Sequence, residues 1–83
     1  MTLAQLRYVI TVSQVGTLSE AAKRLYISQP SLTNAIKELE KELGITIFIR
    51  TNKGVILSRQ GEEFLGYARQ VIEQTTLIEE KYL

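Results

Sequence analysis

Between Leu25 and Gln29 the chain has only Tyr26, Ile27 and Ser28 in which to end one helix and begin another. Ser28 is a helix N-cap residue, and Pro30 falls in a first turn, where N–H groups need no intrahelical acceptor. Upstream, Thr17-Leu18-Ser19-Glu20 has the form of a capping box, with Thr17 accepting from a free backbone N–H and Glu20 reaching back. A short helix therefore starts near Leu18 and carries Ala21, Ala22 and Leu25. A joint this short forces the two helices to cross steeply, as in a helix-turn-helix. Ala21 and Ala22 suit such a crossing, because small side chains let the backbones approach.

The flanking segments extend this unit. From Thr2 to Val15, Leu3, Leu6, Val9, Ile10 and Ser13 recur at helical spacing, and Gly16 stops the helix as a left-handed cap. The third helix runs from Gln29 to Leu43 and ends at Gly44. After it the pattern changes. Ile45, Ile47, Phe48 and Ile49 precede Arg50-Thr51-Asn52-Lys53-Gly54, and Val55-Ile56-Leu57 follow. Two short strands about a turn with Asn and Gly make a hairpin, here a wing. From Ser58 a longer helix begins, in which Phe64, Ala68, Val71, Thr75, Ile78 and Tyr82 alternate at spacings of four and three. That is a heptad seam, which favours a partner helix; the alternative is that it packs on the first helix. The helix would reach roughly 35 Å. Gly66 inside it costs about 1 kcal/mol against alanine, which suggests a close backbone contact there. The predicted fold is mainly α: a winged helix-turn-helix of three helices and a two-stranded wing over 1–58, then a long linker or dimerisation helix over 59–83.

A chain of 83 residues is one small domain whose core is marginal alone, so a second copy would help. It has no cysteine and no histidine, which removes disulfides, thiolate metal sites, the commonest general base and the commonest metal ligand. It has no Gly-rich phosphate loop and no convergent carboxylate pair; Glu62-Glu63 and Glu79-Glu80 read as helix-surface pairs. No enzyme, cofactor or metal is expected. The formal net charge is +1, but between Gly44 and Gly61 the only charged residues are Arg50, Lys53 and Arg59. A locally basic segment fits an anionic partner touched at one place; the alternative is a solvated loop. No apolar run approaches the roughly 20 residues that span a bilayer, and the start lacks a basic-then-apolar signal pattern. A soluble, cytoplasmic chain is the expectation.

The third helix, opening "SQPSLTNAIK", has two sides. With Leu32 as zero and about 100° per residue, Ile36, Leu39 and Leu43 fall within about 40° and form a core side. Opposite lie Pro30, Asn34, Lys37 and Lys41, with Thr33 at the shoulder, while Glu38, Glu40 and Glu42 fall on the flanks. Short polar side chains in the first turn can reach base edges in a major groove: Asn and Gln bond adenine, and Ser and Thr bond either way. Lysines further along meet phosphates and supply affinity with little sequence preference. On the wing, Arg50, Asn52 and Lys53 suit a phosphate or the minor groove.

These residues also resemble a known family. The ordered set Ala21-Ala22, Leu25, Ser28-Gln29-Pro30-Ser31-Leu32-Thr33, Ile36, Leu39-Glu40, Leu43-Gly44, Phe48, Arg50, Leu57-Ser58 and Gly61 resembles the N-terminal DNA-binding domain and linker helix of LysR-type transcriptional regulators. The resemblance implies a winged helix-turn-helix that binds double-stranded promoter DNA as a homodimer through antiparallel linker helices, with tetramers usual for the full-length regulator. It implies base and backbone contacts at Gln29, Pro30, Ser31, Thr33, Asn34 and Lys37, phosphate contacts at Thr17 and Ser28, and wing contacts at Arg50, Thr51, Asn52 and Lys53. The dimerisation stripe is then Phe64, Ala68, Val71, Thr75, Ile78 and Tyr82. Val9 replaces a common phenylalanine, Asn34 a frequent arginine or glutamine, Lys53 a frequent arginine and Ser58 a common threonine. The family also carries a C-terminal effector-sensing domain. The chain stops at Leu83 inside an apolar helical pattern, so a DNA-binding portion without its sensor is expected. That implies a bacterial cytoplasmic, nucleoid-associated protein that meets its small-molecule effector only through the missing domain. A reading of a different class is a protein-interaction module whose fourth helix is the working surface.

Overall fold

A computed structural model describes residues Met1–Leu83. The elements follow one another as α1 (Leu3–Val15), α2 (Leu18–Leu25), α3 (Gln29–Leu43), β1 (Phe48–Thr51), β2 (Gly54–Leu57) and α4 (Arg59–Tyr82).

Each helix begins where a hydroxyl can accept from an orphan N–H. Thr2, Thr17, Ser28 and Ser58 are the four N-caps. The reciprocal capping box sits at Thr2 and Gln5, not at Thr17. Thr17 Oγ1 does accept from the Glu20 N–H at 3.3 Å, but the Glu20 carboxylate lies 3.9 Å from Lys23 one turn on. Gly16 and Gly44 end α1 and α3 in the left-handed region. The end of α2 differs: Tyr26, not a glycine, adopts φ 58°. The Tyr26 N–H donates to Lys23 O at 3.2 Å and the Ile27 N–H to Ala22 O at 3.1 Å. This pair of bonds is a Schellman motif, and it closes the turn of the helix-turn-helix.

The core has two joined parts. Val12, Leu18, Ala21, Ala22, Leu32 and Ile36 fill the crossing of α1, α2 and α3. Val9, Leu39, Ile47 and Leu65 tie α1 and α3 to α4, and Phe48 packs against both parts. Ala21 is fully buried and Ala22 nearly so, as the steep crossing requires. On α1 the buried positions are Leu6, Val9 and Val12. Ser13, placed by spacing among the apolar positions, is half-buried and donates to Ile10 O at 2.7 Å.

The wing is shorter than the apolar run Ile45 to Ile49 suggests. Ile47 lies outside the strand, fully buried in the core. β1 and β2 pair antiparallel with Phe48 opposite Leu57, Ile49 opposite Ile56, Arg50 opposite Val55 and Thr51 opposite Gly54. Only Asn52 and Lys53 lie beyond the ladder. The Val55 N–H donates to Gly16 O at 2.9 Å, clamping the wing to the α1–α2 turn. Gly54 is required there, since a Cβ on it would collide with the Gly16 carbonyl.

On α4 the inward face is Gly61, Leu65 and Ala68. The Ser58 N–H donates to Ile47 O at 2.9 Å, and the Ser58 hydroxyl donates to Thr46 O. Gly61 lies against the Ile47 carbonyl so closely that a Cβ would clash. The close backbone contact expected at Gly66 is absent: nothing lies within 4 Å of where its Cβ would be. The heptad seam is also divided. Ala68 is 1% exposed and belongs to the interior of the protomer, because the first half of α4 is already committed to the core. Phe64 is half-buried against the second core part, and Thr75 is half-buried with its hydroxyl on Val71 O. Val71, Ile78 and Tyr82 remain exposed.

Candidate nucleic-acid interface

The outward side of α3 follows from its caps and core. Leu32 and Leu39 are fully buried and Ile36 nearly so, which turns Pro30, Asn34, Lys37 and Lys41 to solvent. Gln29 and Ser31 are exposed and Thr33 is half-buried. The Ser28 Oγ accepts from the Ser31 N–H at 3.2 Å and donates to Ser31 Oγ at 2.8 Å, so both hydroxyls are engaged at the cap. Asn34 Nδ2 donates to Glu38 Oε1 across 3.5 Å on an exposed surface, a long bond that leaves the amide free to re-aim.

The cations on this side have no intramolecular partner. The ion pairs of the chain are Met1 amine with Glu42 at 2.6 Å and Lys23 with Glu20. Lys37, Lys41, Arg50 and Lys53 are in neither. Arg50 in particular pairs with neither Glu38 nor Glu42.

Two shallow grooves show which of the sequence-predicted residues come together. One holds Thr33, Lys37 and Arg50 around Phe48 and Val55. The other holds Thr17, Gln29, Arg50 and Thr51 around Leu18. Arg50 lines both and so joins the outward side of α3 to the N-terminus of α2. Pairing across the hairpin puts Arg50 on the same strand face as Phe48, toward the body of the domain. Asn52 and Lys53 sit at the wing tip beyond these grooves, with Thr51 Oγ1 accepting from the Lys53 N–H at 3.2 Å to shape the turn. Ser28, Pro30, Ser31 and Asn34 lie outside the grooves, on the open surface of α3 and its cap. None of the twelve proposed contact residues is buried.

Three residues were missed in the sequence. Ser19 lines the second groove beside Thr17. Gln5, besides capping α1, donates through Nε2 to Ala35 O at 3.2 Å and braces α3 from behind. Glu40 accepts from the Ile47 and Phe48 N–H groups. Its place on the helical wheel gave no signal: it falls about 80° from the centre of the core side, and the exposed Glu42 falls as far on the other flank.

Residues 3–62 match the sequence profile of the family described as "Bacterial regulatory helix-turn-helix protein, lysR family". The chain belongs to the LysR family. It is similar to the HTH-type transcriptional regulator ClcR of Pseudomonas putida, at 44% identity over 77 residues, 93% of this chain and 26% of ClcR. Its fold is similar to the crystal structure of the CbnR DNA-binding domain in complex with DNA, with TM-score 0.91 at 36% identity, covering 98% of this chain and 93% of that one. It is also similar to full-length OxyR from Pseudomonas aeruginosa, with TM-score 0.90 at 42% identity, covering 96% of this chain and 27% of that one. The chain thus spans about a quarter of the length of the full-length LysR proteins it matches. What it carries is the LysR-type DNA-binding domain, a winged helix-turn-helix with a following long helix, and the family is one of transcriptional regulators rather than enzymes. No helix is long and apolar enough to cross a membrane.

Proposed function

We propose that this chain is the promoter-reading portion of a LysR-type transcriptional regulator, binding an interrupted inverted repeat in double-stranded DNA as a homodimer. α3 lies in the major groove. Gln29, Pro30, Ser31, Thr33 and Asn34 meet base edges; Lys37, Thr17 and Ser28 meet phosphates. Arg50, Thr51, Asn52 and Lys53 follow the backbone or the minor groove. The observation that carries this reading is the unpaired polar and cationic stripe of α3, continued through Arg50 into the wing. The similarity to a LysR DNA-binding domain in complex with DNA supports it.

In this reading 1–58 is the reader and 59–83 the linker. The exposed residues Val71, Ile78 and Tyr82, with Thr75, pair two copies, and Phe64 borders them. A two-fold dimer reads a two-fold site. The full-length regulator assembles further, to a tetramer, and binds its small-molecule effector through a separate C-terminal domain; it works in the bacterial cytoplasm, at the nucleoid.

The test is selection of bound duplexes from a random DNA pool at two salt concentrations. Recovery of an inverted repeat with a fixed spacer supports specific dimeric reading. Recovery of unselected DNA that washes off with salt means phosphate attraction alone and overturns it. On the recovered site, Gln29→Ala is expected to cost roughly 1–3 kcal/mol at one base position. Lys37→Ala is expected to weaken all sequences alike and to lower the salt slope by about 1. Equal losses on specific and random DNA for both variants would contradict this division.

A further inference from the structure

Glu40 belongs to the last turns of α3, yet its side chain serves the wing. Its Oε2 accepts from the Ile47 N–H at 2.6 Å and from the Phe48 N–H at 3.2 Å. Both donors lie where the chain enters β1, two or three residues before Arg50. The other backbone ties of the wing run elsewhere, from Val55 to the α1–α2 turn and from Ser58 to Ile47. The two bonds to Glu40 are charge-assisted and join α3 directly to the strand that bears Arg50. Glu40 also lines the groove shared by Lys37 and Arg50.

We propose that Glu40 is a positioning residue for DNA binding: it fixes the wing relative to α3, so that Arg50 and Lys53 meet phosphates of the same duplex that α3 reads. This rests on the DNA-reading function proposed above. A wing held in place beforehand binds without an ordering cost, whereas a released wing must be ordered at each binding event. Both N–H groups converge on one oxygen, so the carboxamide oxygen of glutamine can replace it. Alanine offers no acceptor, and aspartate keeps the charge but loses the reach.

The experiment measures affinity for the selected operator against salt for the parent, Glu40→Ala, Glu40→Asp and Glu40→Gln, each with and without Lys53→Ala. Lys53→Ala is expected to lower the salt slope by about 1 in the parent and in Glu40→Gln, and by far less in Glu40→Ala. Glu40→Ala alone is expected to flatten the slope by up to about 2, for Arg50 and Lys53. The loss of base discrimination on Gln29→Ala stays the same throughout. General destabilisation lowers the active fraction without changing the slope, so it does not imitate this result. Glu40→Asp stands in where the alanine variant fails to fold.

An equal effect of Lys53→Ala in every background overturns the proposal, as does a glutamine variant that behaves like the alanine one. Amide exchange at Ile47 and Phe48, measured without DNA, is expected to speed up in Glu40→Ala and to recover in Glu40→Gln. Unchanged exchange overturns the positioning itself. Faster exchange in Glu40→Ala, together with a parent that reads no DNA, supports the wing anchor while it refutes the DNA-reading function.

Discussion

Gly61 and Gly66 lie five positions apart on α4, and the same substitution at each has opposite consequences. At Gly61 a Cβ meets the Ile47 carbonyl, a backbone atom already engaged by the Ser58 N–H and unable to retreat cheaply. Gly61→Ala is expected to destabilise the fold by about 1–3 kcal/mol. At Gly66 a Cβ meets open space, so Gly66→Ala gains about 1 kcal/mol of helix propensity. Urea unfolding of the two variants checks both signs. The sequence marked Gly66 as the tight glycine because it sits in mid-helix. Gly61 stood only in the residue set that resembles the family, with no physical reason attached to it. What separates them is the position of a loop carbonyl far along the chain, which no local pattern encodes.

Among the elements, the helices were the most legible, since caps and periodicity are local. All four N-caps are Ser or Thr, and the bounds of α3 are those expected from Ser28, Pro30 and Gly44. The start of β1 was not legible. Ile45 and Ile47 have strand-like side chains, but Ile47 is taken by the core and its backbone by Glu40 and Ser58. The turn at the end of α2 was legible by length and not by conformation. Tyr26 holds the left-handed cap with 94% of its surface exposed, so its ring offsets little of the backbone strain. Tyr26→Asn is expected to raise stability by about 0.5–1 kcal/mol, as asparagine tolerates this region better. A thermal melt measures it, and a lower midpoint would assign the phenol ring a packing role that its exposure denies. Most of the candidate interface was legible for the reason the helices were: the helical wheel of α3 needs only the core side to be known. The link through Arg50 was not, because it depends on hairpin register.

For the molecule as a whole, α4 sets the long dimension. Its 24 residues lie in a protein 43 Å long and 26 Å across. Its buried residues end at Ala68, and the remainder presents Val71, Leu77, Ile78 and Tyr82 to solvent. If that surface pairs two copies, Ile78→Glu is expected to weaken dimerisation by at least about tenfold, by analogy with truncated interface anchors. The monomer should unfold at an unchanged urea midpoint, since Ile78 contributes nothing to the core. Sedimentation equilibrium gives the first quantity, and an unaltered dimer would move the pairing surface elsewhere on the helix. The heptad seam was legible as a pattern, with packing on the first helix as the alternative, and its first half is consumed internally.

The seat of Gly61 on the Ile47 carbonyl fixes the angular phase of α4 about its own axis. Every residue beyond it inherits that phase at about 100° per step. One residue inserted after Ala68 would swing the distal apolar residues about 100° away from where they now point and advance them about 1.5 Å. Seven inserted residues would return them to within about 20°. If those residues pair two copies, the length of this helix is quantised in practice: insertions close to whole turns, such as seven or eleven residues, keep them facing the partner, and a single residue or two turns them aside.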